Sequence, residues 1–247
     1  MNNIYANNFE FYSGLNNKII EKQKKLLTKL SNSLKDNQWI RISTINFTKE
    51  KYNFMLYRQK LVIKNRLYIN FKPTGSLWFS KGEWLFHIIG CNKYSRITLV
   101  EIDYNNIYRI TNKKPDNFII DTYYKKNLSL FIKNNQVIKK YSNSIVKNLI
   151  LINWKNIIKN YYGFAIYPFP IVSHKLKTGN VSFLNSFDVS SLCLWNTDSI
   201  IKSYNLGKIS QYIKINNSNT STTDRLIIQH TRFINNLVKQ INKINNI

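Results

Sequence analysis

Acidic residues are few in this chain. It carries 12 Asp plus Glu against 37 Lys plus Arg in 247 residues, a formal net charge of +25. So few carboxylates leave little material for paired-acid catalysis or an all-oxygen cation cage. Glycine and proline are also scarce, at 7 and 4, which argues against a collagen-like or loop-dominated chain. The two cysteines, Cys91 and Cys193, are too few for a disulfide scaffold and too distant in sequence for a metal knuckle, so buried free thiols are expected. His87, His174 and His230 are scattered without metal-ligand spacing, and no metal site is expected. Walker-type phosphate loops, G-x-G-x-x-G after a strand and the G-x-S-x-G elbow are all missing. No run of about 18 apolar residues occurs, so no membrane span is expected. The start, Met1-Asn2-Asn3-Ile4-Tyr5, has no charged head before an apolar run, so no signal peptide is read there and an intracellular location is expected.

Against these shortages stand 43% hydrophobic and 14% aromatic residues, enough for a packed core rather than a disordered basic tail. The positive charge points to a polyanionic partner, because clustered cations gain affinity by releasing counterions from phosphates. The cations are mostly lysine, with seven arginines in the chain. Asn, Ile, Lys and Tyr, which share AT-rich codons, are abundant together, so an AT-rich genome supplies part of the charge. It does not explain the shortage of acid, since Asn positions could have been Asp. The lysines form short clusters rather than one long run: Lys22, Lys24 and Lys25, Lys113-Lys114, Lys125-Lys126, and Lys139-Lys140. These are the candidate nucleic-acid contacts. Aromatic and basic residues also interleave, as at Tyr57-Arg58, Tyr108-Arg109 and Tyr123 to Lys126, a pattern suited to holding single strands.

Ile19, Ile20, Leu26, Leu27, Leu30 and Leu34 recur at helical spacing, opposite Lys22, Lys24, Lys25 and Lys29, and predict an amphipathic basic helix before residue 38. Strands are predicted at Trp39–Ile45, Leu61–Ile63, Arg66–Phe71, Ser76–Ser80, Ser95–Ile102, Ile107–Ile110, Phe164–Tyr167 and Ser191–Trp195. Glu83–Ile89 reads as a short helix, and 111–145 as a polar loop with a helix near Phe118–Tyr124. Leu149–Tyr161 reads as a helix, and a last helix begins near Asp224. The expected organisation is a basic helix in 1–37, an α+β core with a single mixed sheet in 38–214, and a linker with a basic C-terminal helix in 215–247.

Three strand segments carry small hydroxyl and aromatic residues in a suggestive order: Ile40-Arg41-Ile42-Ser43-Thr44, Gly75-Ser76-Leu77-Trp78-Phe79-Ser80, and Ser191-Leu192-Cys193-Leu194-Trp195-Asn196. The series resembles the ADP-ribosyltransferase fold over about 160 residues. The resemblance implies a split sheet with a cofactor pocket for NAD. In it Arg41 would contact the diphosphate or ribose, and Ser43 and Thr44 would lie beside the cofactor. Gly75 would permit close approach, Trp78 would stack on nicotinamide, and Ser80 would offer its hydroxyl. The family's late strand begins with a catalytic Glu; here that position is Ser191. A serine cannot supply the charge that stabilises the developing cation. Asp188 is the nearest upstream carboxylate and the candidate substitute.

The expected function is therefore a basic nucleic-acid-associated protein without a cofactor, binding RNA, DNA or another polyanion. It would be a structural part of a ribonucleoprotein, such as an organellar ribosome, or of a DNA virus particle, built on an inactive ADP-ribosyltransferase-like core and joined to other proteins of a large assembly. An organelle or a virus-infected cell is the expected setting. The alternative is an NAD-dependent ADP-ribosyltransferase-like enzyme.

Overall fold

The structure is a computed structural model. It describes residues 17–44, 47, 62–64, 66–68, 76–87, 96–111, 122–140, 148–167, 190–209 and 222–247. In chain order the elements begin with helix α1 (Asn17–Ser33), strands β1 (Gln38–Ser43), β2 (Val62–Lys64), β3 (Arg66–Tyr68) and β4 (Leu77–Ser80), and helix α2 (Trp84–His87). Strands β5 (Arg96–Ile102) and β6 (Ile107–Thr111), helix α3 (Thr122–Asn135), strands β7 (Gln136–Lys140) and β8 (Asn148–Ile152), and helix α4 (Trp154–Asn160) follow. Strands β9 (Gly163–Tyr167), β10 (Ser191–Leu194) and β11 (Ile200–Lys208) and helix α5 (Thr222–Asn245) complete the chain. The protein is thus mixed α+β, as its sequence predicts.

The chain divides into two compact units. The first comprises 1–51, 79–103 and 200–247; the second comprises 52–78 and 104–199. Both long terminal helices fall in the first unit together with strands.

In the first unit the strand order is β11-β5-β1, with the Phe79–Ser80 end of β4 beside β1 and every neighbour antiparallel. Gln38 to Ser43 pair residue for residue with Glu101 to Arg96. Ile97, Leu99 and Val100 are fully buried and Thr98 nearly so, which means that both faces of β5 are covered. Leu26, Leu27 and Leu30 of α1 and Phe233, Ile234, Leu237, Val238 and Ile241 of α5 supply the buried helix faces. The two helices pack on each other with their C-terminal ends together: Lys29 Nζ donates to Asn235 Oδ1 at 2.7 Å, and Asn245 Nδ2 donates to the Ser33 carbonyl at 2.8 Å.

A polar knot joins this helix pair to the sheet. Gln38 is fully buried. Its amide oxygen accepts from the Lys35 N–H at 3.0 Å, and its Nε2 donates to Glu101 Oε1 at 3.0 Å and Asn245 Oδ1 at 2.6 Å. Lys81, 3% exposed, lies beside it. Its ammonium donates to the carbonyls of Asp36 at 2.6 Å, Gln38 at 2.7 Å and Lys35 at 3.4 Å, and sits 4.4 Å from the Trp39 ring centroid. These carbonyls follow the C-terminus of α1, where the helix dipole favours a cation. Gly82 makes the approach possible: its φ is +106°, and a Cβ there would lie 2.5 Å from Leu30 Cδ2.

In the second unit β9 pairs antiparallel with β10 and parallel with β6. Hairpins β2–β3 and β7–β8 are separate two-stranded sheets. The core is aromatic. Phe131, Trp154, Phe164 and Trp195 pack with Ile110, Leu128, Ile152, Ile157, Ile166 and Cys193, and Trp78, Tyr108 and Tyr161 pad its edge. Trp154 meets Phe164 edge-on at 5.3 Å and Tyr108 meets Phe131 at 5.0 Å, within the range of favourable ring pairs. Cys193 is a buried free thiol, as expected; Cys91 lies outside the described residues.

Three elements differ from the sequence-based expectation. The segment 111–145, predicted as a mostly polar loop, contains α3, which runs to Asn135, and then β7. Leu149–Ile152 is strand β8, not the start of a helix; α4 begins only at Trp154. Asn135 explains the joint: its carbonyl receives the Asn153 N–H at 2.7 Å, and its Oδ1 receives Asn156 Nδ2 at 3.3 Å. Strand β11 is the third, a nine-residue strand that the sequence pattern does not announce.

Replacing Lys81 with methionine keeps much of the bulk and removes the donors that three carbonyls use. The expected loss is about 2–4 kcal/mol, read as a lower midpoint in urea unfolding with an unchanged slope.

Candidate functional site

The two long helices of the first unit display their cations as stripes. On α1, Lys22, Lys25 and Lys29 are exposed. At 100° per residue they fall within about 60° of arc and span about 10 Å. On α5, Arg232, Lys239 and Lys243 are exposed, within about 40° of arc and over about 16 Å. The opposite face of each helix is the buried one, so burial itself fixes where these cations point. Lys24 forms an ion pair, its Nζ lying 2.9 Å from Glu21 Oε1. Lys24 is thereby partly neutralised, whereas Lys22 and Lys25 stay in solvent. Lys113 and Lys114 lie outside the described residues. Lys125 and Lys126 fall on α3, and Lys139 and Lys140 on β7; their side chains lie outside the described residues.

The residues predicted to hold NAD are distributed over both units. Arg41, Ser43, Thr44 and Ser80 belong to the first; Trp78 and Ser191 belong to the second. Gly75 and Asp188 lie outside the described residues. Arg41 is half-buried on β1, its guanidinium carbon 5.8 Å from the Phe79 ring centroid. Ser43 is buried, Thr44 exposed. Ile40 pairs with Ser80, which puts β1 and β4 side by side. Ser80 is fully buried, and its Oγ accepts the Gly82 N–H at 3.2 Å, a local turn contact that helps to aim Lys81. Trp78 packs against the aromatic core of the second unit, and buried Ser191 pairs with Ile166 in the β9–β10 ladder.

Two titratable groups are displaced by burial. His230 on α5 is 5% exposed, and desolvation lowers its pKa from 6.5 to about 4. Burial, and then the neighbouring Tyr161, raise the Tyr108 phenol above 10.0. Tyr108 therefore stays neutral and serves the core, although its Tyr-Arg dipeptide reads in sequence as a basic–aromatic contact. Among the described residues no group of His, Cys, Asp or Glu could hold a metal ion, and no helix is long and apolar enough to cross a membrane.

Local composition points to Lys22, Lys24 and Lys25 but not to the second stripe. Arg232, Lys239 and Lys243 are spaced four to seven residues apart, so no local cluster marks them; only the helical period brings them to one side. Comparison with protein-family models, curated proteins and solved structures finds no match to this chain.

The His230 shift sets a pH dependence. The unfolded chain takes up a proton near pH 6.5, while the folded chain resists it until about pH 4. Stability is therefore full above about pH 6.5 and falls toward pH 4, by on the order of 2–3 kcal/mol in total. Thermal melts between pH 7.5 and 4 should show this loss, and His230→Leu should flatten it.

Proposed function

We propose that this protein binds nucleic acid electrostatically through the solvent faces of α1 and α5, as a basic component of a nucleoprotein assembly. The observation that carries the proposal is the pair of stripes: six exposed cations, Lys22, Lys25, Lys29, Arg232, Lys239 and Lys243, on helices packed against each other. Charge concentrated along a face gains more from counterion release than the same charge spread evenly. Helical backbone also fixes the spacing of the cations in advance, so less order is lost on binding.

The polyanion is read as nucleic acid because phosphates recur at regular intervals that such rows can follow. The NAD-dependent alternative has weaker support. The Ser80 hydroxyl already accepts a backbone donor, Trp78 already packs in a core, and the position of the transferase carboxylate is the buried strand residue Ser191.

Six phosphates neutralised on a single strand give a log-affinity against log-salt slope of about −4. Replacing Lys22, Lys25, Lys239 and Lys243 together with Gln should bring it to about −1, at roughly 0.7 of a slope unit for each cation removed. Fluorescence anisotropy with a labelled oligonucleotide across a salt series measures both slopes. A flat wild-type slope contradicts the proposal.

A further inference from the structure

Three chain segments of the second unit meet at one point. The Tyr104–Ile107 turn closes with the Ile107 N–H donating to the Tyr104 carbonyl at 3.1 Å. Tyr162, between α4 and β9, donates its N–H to the Asn106 carbonyl at 2.7 Å. The Tyr162 carbonyl accepts two donors, the N–H groups of Trp195 and Asn196, each at 3.1 Å. The Trp195 indole N–H donates to the adjacent Tyr161 carbonyl. Asn196 is held in turn: its Oδ1 accepts the Asp198 N–H at 2.8 Å. One residue, Tyr162, thus staples the tips of three segments through its backbone and remains partly open to solvent, 36% exposed.

The side chains carried by these segments share a chemistry. Tyr162 offers an exposed ring on a fixed backbone. Arg109 lies over the Tyr104 ring, 3.9 Å from its centroid, a second planar stack. The Asn106 amide is exposed at the tip of the turn. These segments carry one cation, Arg109, and one acid, the exposed Asp198, so their formal charge balances. Rings and amides with little net charge suit a flat, polar-edged group rather than a phosphate. Loop tips pinned on a rigid scaffold are also where binding residues concentrate.

We propose that this cluster is a platform for an unpaired nucleobase, with Tyr162 stacking on the ring and Asn106 facing its polar edge. The proposal rests on the nucleic-acid reading above and deepens it by naming the form bound: single strands, whose bases are free to stack. The platform distinguishes a strand with accessible bases from one without.

The test uses the full chain with two labelled probes of equal length and charge, an oligo(dT) 20-mer and an abasic 20-mer. Wild type should bind oligo(dT) about tenfold more tightly than the abasic strand. Tyr162→Ala should remove most of that difference, and Tyr162→Phe should keep it. Asn106→Ala, which leaves the stapling carbonyl in place, should reduce it in part. Unchanged melting curves establish that the variants fold. Equal wild-type affinity for the two probes overturns the platform and leaves the stripes standing, as does a preference that survives Tyr162→Ala. No binding to either probe overturns both proposals.

Discussion

A lysine buried among main-chain carbonyls is the contact on which the first unit depends. With 12 acids in 247 residues, this chain cannot meet every interior cation with a carboxylate. The Lys81 ammonium is taken up by the carbonyls of Lys35, Asp36 and Gln38 and by the face of Trp39. Those carbonyls belong to the turn between α1 and β1, so one side chain both satisfies that turn and ties it to β4. Gln38 extends the knot to β5 through Glu101 and to α5 through Asn245. A buried polar group costs stability unless its partners are complete, so this knot constrains where α1 and α5 come to rest. The stripes of exposed cations follow from that placement, because they are the faces the packing leaves over.

The scarcity of acid thus acts twice. Inside, peptide carbonyls and amide side chains perform the pairing. Outside, Lys22, Lys25, Lys239 and Lys243 face solvent, while Lys24 pairs with Glu21. The codon composition that enriches lysine does not place it on one face of two adjacent helices; amphipathic burial does.

Much of the fold was legible in the sequence where burial imposes a clear period. Helix α1 is announced by Leu26, Leu27 and Leu30 at helical spacing, and β1 and β5 by dense β-branched and aromatic runs. The β7–β8 hairpin was not legible. Leu149-Ile150-Leu151-Ile152 is a continuous apolar run that fits a strand or a buried helix equally well, and the hydrogen bonds of Asn135 that decide the matter are long-range. Strand β11 was hidden for another reason: most of its residues are exposed, so it lacks the alternation of a half-buried strand. Of the candidate site, the first stripe showed as a lysine cluster. The second stripe, Lys81 and Tyr162 depend on helical phase or on contacts remote in sequence, which local composition does not record.

Lysine acylation footprinting with and without a bound oligonucleotide tests the central claim most directly. The account predicts that Lys22, Lys25, Lys29, Lys239 and Lys243 lose reactivity together on binding, while exposed Lys133 and Lys159 of the second unit keep theirs. Uniform protection of all these lysines, the mark of an even cationic coat, contradicts it.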